Sequence, residues 1–514
     1  MGGRFLAVTR RVAAAAAGST LGSWALAHGL GERYDLPVPL RLYLLGAGAA
    51  VLLSFVVVAF FLRGGSPARY PRLNLLRVPG VRLLASRPVV TTLRTLSVAV
   101  FVLVIVTGLF GPPRPERNLA PLVVWVFWWV GVAYASALLG DVWRLLNPWT
   151  TLYEWAEAAL RRADPDASLS LGLPYPRRLG VWPAVALFLA FAWVELVFLA
   201  PARPSSVVTF TLVYSGLTWA GMLLFGKHAW LRHGEAFTQV FGLLARFAPT
   251  EVRVTDASAC HDEATWGRDE AGGCVNCHAC FEAAPLAQRQ WNLRPFAVGL
   301  LSGRPVSTSL TVLTILLLST VTFDGFTATP MWSGMVGDLY AVLPNVTVIG
   351  TLGLLAFPLL FLSAYLLTCA LMQAAAGARV TVFPAARAFV LTLVPIALAY
   401  HLAHYLSYLL VQSQLLLPVA SDPLGLGWDL FGTAGRGIDI GVVGPRFTWW
   451  TAVIAIVVGH IIAVYLAHVV AMRTFPTHRA ALRSQIPMML LMVAYTVASL
   501  WILAQPIVEV TPPS

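Results

Sequence analysis

The stretch from Leu393 to Pro418, "LVPIALAYHLAHYLSYLLVQSQLLLP", is apolar for the length of a membrane crossing, yet it carries His401 and His404 near its middle. A helix needs about 20 apolar residues to cross a hydrocarbon core of about 30 Å. Only helices or closed barrels satisfy every backbone polar group in lipid. Barrel strands alternate in polarity and this run does not, so it reads as a transmembrane helix. The rest of the 514-residue chain has the same character. It is 58% hydrophobic and only 11% charged, well below the roughly 25% charged of ordinary soluble domains. The expected fold class is all-α: a polytopic helical membrane protein with about ten transmembrane helices after a signal peptide.

Ten apolar runs are expected to span, at 41–62, 94–111, 122–140, 181–199, 207–226, 306–326, 346–372, 390–418, 447–475 and 486–508. Before them, "MGGRFLAVTRRVAAAAAGSTLGSWALAHGLG" has basic residues, an alanine-rich core and a small-residue site at Ala25-Leu26-Ala27. That is the layout of a cleavable signal over 1–27, with an uncleaved anchor as the alternative. Cleavage leaves His28 at the mature N-terminus. The chain then divides into a five-span region (28–226), a loop with a Cys/His cluster (227–305) and a second five-span region (306–514).

The formal charge of +12 is spread over loops and forms no compact basic domain, which argues against nucleic acid as a partner. Arginines concentrate in alternate loops, among them Arg63, Arg69, Arg72, Arg77, Arg82, Arg87, Arg161, Arg162, Arg177 and Arg178. By the positive-inside rule those loops are cytoplasmic. The expected location is therefore a bacterial inner membrane, with the mature N-terminus and the C-terminus outside. Two loops promise more than connection. "DVWRLLNPWTTLYEW" (141–155) is aromatic enough for a helix at the interface. The loop with Asp422, Asp429 and Asp439 is placed to cap an outward cavity, or simply to turn.

Ionisable residues inside spans usually face a partner, a cavity or an ion. His401 and His404 share one helical face. The next span, "WWTAVIAIVVGHIIAVYLAHVVAMR" (449–473), adds His460 and His468. At 1.5 Å per residue, His401, His404 and His460 lie roughly 17, 21 and 22 Å from the cytoplasmic ends, and His468 at about 10 Å. Three imidazoles near one level, with His468 as an outer partner or relay, suit zinc or copper or haem iron. Gly459 beside His460 is expected to admit a flat cofactor. Proton relay and simple helix-to-helix hydrogen bonding are the other readings. Ser407, Gln412 and Gln414 are candidates for a polar path along the same helix. Glu195 in "FAWVELVFL" and Asp324 in "STVTFDGFTATP" are candidate bases or oxygen ligands, or residues that meet interfacial water. His28 is a further copper-ligand candidate.

The loop segment "ACHDEATWGRDEAGGCVNCHACFEAAP" (259–285) holds Cys260, Cys274, Cys277 and Cys280, with His261 and His278 interleaved. Four thiols with CxxC spacing fit a structural zinc site. Unliganded cysteines and haem attachment at Cys274–His278 are the alternatives, the latter disfavoured by a cytoplasmic placement. Cys369 reads as a small core residue.

The stretches at 25–61, 141–155, 399–414 ("AYHLAHYLSYLLVQSQ"), 421–432 ("SDPLGLGWDLFG") and 459–473 resemble a group of bacterial multispanning proteins labelled fenitrothion hydrolase. The resemblance runs from His28 to the end. It implies hydrolysis of apolar organophosphorus esters, for which a metal-bound hydroxide in the histidine site is the chemistry to expect. It assigns no catalytic residue. The alternatives are a copper- or haem-handling membrane protein without hydrolysis, and a proton- or ion-coupled transporter. Broken helices around the site would favour transport.

Overall fold

The computed structural model describes residues 36–61, 70–256, 273–301, 306–377 and 381–507. The proposed signal segment, His28, Cys260 and His261 lie outside them. Among the described residues, nine helices are long and apolar enough to cross a membrane. They include Leu40–Phe61, Arg87–Phe110, Leu119–Leu139, Pro204–Phe225 and Thr308–Thr327, then Val346–Ala376, Val382–Ser421 and Pro445–Thr474, and last His478–Ile507. The protein is an all-α, multi-span membrane protein, and the outer helices turn large apolar side chains outward, such as Leu45, Leu53 and Phe60.

The expected fourth span, 181–199, is a shorter helix, Trp182–Leu196, of 15 residues. At 1.5 Å per residue that is about 22 Å, less than the hydrocarbon core. Pro183 starts it, and it ends at Val197 ahead of a turn. Beside it packs a helix that the hydropathy pattern does not single out, Ala236–Ala245. Nine of its ten residues are buried, because it is apolar on nearly every side. Glu235 caps it, accepting the N–H groups of Phe237 and Thr238 at 2.9 and 2.7 Å and the Tyr214 hydroxyl.

Thr308–Thr327 runs through the centre, buried along most of its length. Its hydroxyls make that burial tolerable. Thr311, Thr314, Thr320 and Thr322 each donate to the carbonyl four residues back, so no hydroxyl there needs water. Around it lie Trp182–Leu196, Val346–Ala376 and the histidine-bearing segment.

That segment is one continuous 40-residue run, Val382–Ser421, but its geometry changes along the way. A 3₁₀ turn at Val390–Leu393 leads into the α-helix Val394–Gln412, and another at Ser413–Leu415 follows it. The neighbouring span is irregular too: Leu122–Gly131 is π-helical before α geometry resumes at Val132. Such departures are uncommon and recur at functional sites.

Outside the spans, the loops at 63–93 and 227–305 together build a four-stranded antiparallel sheet. Leu73–Asn74 pairs with Arg289–Leu293, which pairs with Thr250–Val254, which pairs with Cys274–Val275. Glu251 locks it from inside, taking Arg72 at 2.6 Å, Arg294 at 2.8 Å and the Tyr70 hydroxyl at 2.7 Å. The stretch 141–155 forms Val142–Leu146 and the start of Pro148–Ala163. Trp143 and Trp149 are buried against Trp128, Phe241 and Tyr214, so only part of its aromatic content faces outward. In the loop after Ser421 the aspartates close turns: Asp422 accepts from Leu426 and Gly427, and Asp429 from Thr433 and Ala434.

Candidate functional site

The helix Val394–Gln412 brings His401, His404 and Tyr405 to face Thr308–Thr327 and the end of Trp182–Leu196. His404 Nε2 lies 2.9 Å from Asp324 Oδ2. The Tyr405 hydroxyl donates to the same Asp324 oxygen and sits 3.3 Å from Glu195 Oε1. Two carboxylates, a phenol and an imidazole thus form one connected chain, Glu195–Tyr405–Asp324–His404. Asp324 and His404 are 4% and 6% exposed, so Asp324 is held by protein rather than by interfacial water. Glu195 is half-buried.

His401, one turn away, is in a different state. Its ring is edge-on to Trp129 and Tyr134, at centroid distances of 5.9 and 5.2 Å, and 4.7 Å from the Tyr405 ring. Both ring nitrogens are buried without a hydrogen-bond partner among the described residues. The π-helical stretch positions Trp129, and the Tyr134 hydroxyl donates to the His401 carbonyl at 3.1 Å.

His460 hangs from the next helix. Its Nδ1–H donates to the Ile456 carbonyl at 2.8 Å, which leaves Nε2 as an acceptor with no partner. The Tyr495 ring lies 5.9 Å from it. His468 Nδ1 donates to Gln485 Oε1 at 3.0 Å, while the Gln485 amide donates to Ala481. The four histidines therefore have three kinds of partner: a carboxylate for His404, protein oxygens for His460 and His468, and aromatic rings for His401.

Among the described residues, no three of His, Cys, Asp and Glu are gathered closely enough to hold an ion. A flat cofactor finds no gap at Gly459 either. A Cβ there would meet Ala399 Cβ at 2.4 Å and the Pro395 carbonyl at 2.8 Å. The glycine serves close contact between the two histidine-bearing helices. Of the polar-path candidates, Ser407 is buried and Gln412 half-buried. Gln414 clamps the loop after Ser421, exchanging hydrogen bonds of 2.9 and 3.0 Å with the Asp439 backbone.

In the sheet region, Cys274 lies on a strand, and Cys277 caps the helix His278–Ala283 that holds Cys280. Asn276, at φ 55°, makes the turn between them. The Cys277 and Cys280 sulfurs are 2.6 Å apart. The fourth thiol of the expected zinc set, Cys260, lies outside the described residues. His278 Nε2 faces Asp141 Oδ2 at 3.5 Å. Burial, then the Arg144 charge, pushes its pKa down to about 3. Cys369 is fully buried in the core, as expected.

Sequence reading missed Tyr405, Trp129, Tyr134 and Tyr495, since aromatic residues are ordinary in apolar helices. For Tyr405 alone a signal was available, its adjacency to His404. The chain matches no protein-family model, and no curated protein and no solved structure is significantly similar to it.

Proposed function

We propose that the membrane region conducts protons in the course of coupled transport, with Glu195, Tyr405, Asp324 and His404 as the relay. The observation that carries this reading is the Asp324 carboxylate, buried in the central helix between the Tyr405 hydroxyl and His404 Nε2. Intramembrane chains of carboxylates and histidines are the usual material of proton relays.

The relay works by exchange along existing hydrogen bonds. A protonated Glu195 gives its proton to the Tyr405 oxygen as the Tyr405 hydroxyl proton passes to Asp324. Asp324 then gives its proton to His404 Nε2 and is again a carboxylate, while Glu195 is left deprotonated and takes the next proton that enters. Tyr405 carries no net charge at either end of the step. His401, with two uncommitted nitrogens one turn closer to the arginine-rich face, is the next acceptor, and His468 lies further along that direction. The 3₁₀ and π-helical breaks flanking the site support a transporter that must flex there.

The test is proton uptake by liposomes containing the purified protein, driven by a potassium diffusion potential and read with an enclosed pH dye. Uptake is expected in the wild type and at least tenfold slower in Asp324→Asn. Equal uptake in both, or none above protein-free liposomes in the wild type, would overturn the proposal.

A further inference from the structure

On the face that carries the arginine-rich loops, a cleft opens between Arg87–Phe110, the bend at Asn147 and the helix Lys227–His233. Arg94 and Lys227 converge there on Glu154, at 2.9 and 2.8 Å. Arg94 also lies 3.6 Å from Glu282, on the helix of the cysteine loop. These two glutamates pair with two cations, while the third, Arg144, lies in the field of the Asp141 carboxylate without forming an ion pair with it. The backbone N–H of Arg144 binds Asp141, but no carboxylate among the described residues is within ion-pair range of its guanidinium.

A second donor waits at the same place. Asn147 is 2% exposed, and its Oδ1 caps the helix Pro148–Ala163 by accepting the Thr150 N–H at 3.1 Å. Its Nδ2 lines no hydrogen bond: the group is buried without a partner among the described residues. Buried amide donors are nearly always satisfied, so an orphan of this kind calls for an acceptor. The field in the cleft agrees. His228 is held below its ordinary pKa by burial and then by Lys227 and Arg144, although Glu282 and Glu154 pull the other way.

The geometry points to a binding site for a phosphate-type oxyanion, held by the Arg144 guanidinium and the Asn147 amide, with Lys227 and Arg94 around it. Arginine's planar fork suits two oxygens of one phosphate, and the amide N–H suits a third. The site is separate from the intramembrane relay. Its position beside an amphipathic helix offers two sources for the same chemistry: the headgroup of an anionic phospholipid, or a free anion in solution.

The full chain in an uncharged detergent distinguishes them. Its thermal unfolding midpoint is measured against inorganic phosphate, with chloride at matched ionic strength as control. A parallel series uses mixed micelles containing phosphatidylglycerol against phosphatidylcholine. The midpoint is expected to rise in at least one series. A rise with inorganic phosphate assigns a soluble anion, and a rise with phosphatidylglycerol alone assigns a lipid headgroup. In Arg144→Gln and in Asn147→Asp the half-saturating concentration is expected to be at least tenfold higher. Asn147→Asp keeps the helix cap, so its unliganded midpoint also reports that the fold is intact. No rise in either series, or an undiminished response in both variants, would overturn the site.

Discussion

At the scale of single residues, what each buried polar atom has for a partner separates the members of the relay. Asp324 has two, Tyr405 and His404. His401 has none among the described residues at either ring nitrogen, although leaving such groups unmet costs about 1–3 kcal/mol each. That asymmetry is what a relay needs, since one group holds a proton and its neighbour is free to take it. Tyr405 is the link that isolates the idea best. Tyr405→Phe keeps the ring and removes the hydroxyl that joins Glu195 to Asp324. Proton uptake should fall at least tenfold in liposomes, while stability changes by only about 1–3 kcal/mol in a denaturation measurement. Histidines and acids in an apolar run are conspicuous in a sequence, so His401, His404, His460, His468, Asp324 and Glu195 were all legible as candidates. Their pairing was not. Helical spacing and depth put three histidines at one level, whereas the decisive contact runs between His404 and an aspartate 80 residues away in sequence.

At the scale of elements, hydropathy located the spans because lipid imposes one length on all of them. It failed where that constraint lapses. Trp182–Leu196 is too short for an apolar core on its own, and Ala236–Ala245 has no polar face to announce it. The sheet is assembled from strands up to 220 residues apart, two of them only two residues long, and such pieces leave no periodic signal. Helix contacts were equally invisible. Gly459 read as room for a cofactor, yet it is where the two histidine-bearing helices touch. Gly459→Val forces Cβ into Ala399 and the Pro395 carbonyl. Overpacking of this kind costs about 1–3 kcal/mol. The variant should lower the thermal midpoint in detergent, and Gly459→Ala should lower it less. A midpoint unaffected by valine would mean that the helices are not in contact there.

At the scale of the whole molecule, an apolar helical body carries a small sheet region, tied to it through His278 and Asp141 and through Glu282 and Arg94. His278 gives stability a pH dependence through its burial rather than through Asp141. The His278 pKa is lowered to about 3, chiefly by burial. Between that value and an ordinary histidine value near 6.5 the unfolded chain binds a proton that the folded chain refuses. Stability from this group is therefore complete above about pH 6.5 and is lost as the pH falls toward 3. His278→Gln should flatten that part of the stability curve, as read from midpoints measured across the range; an unchanged slope would assign the acid sensitivity to other groups.

In the proposed relay, Asp324 takes up and releases a proton inside the membrane region. Infrared difference spectroscopy of the reconstituted protein during a pH step tests it most directly, because a protonated carboxyl has its own C=O stretch. The wild type is expected to show bands in that region, of which one component is lost in Asp324→Asn and shifted in Tyr405→Phe while the Glu195 component remains. Bands that all persist unchanged in Asp324→Asn, or no carboxyl band at any pH, would contradict the relay.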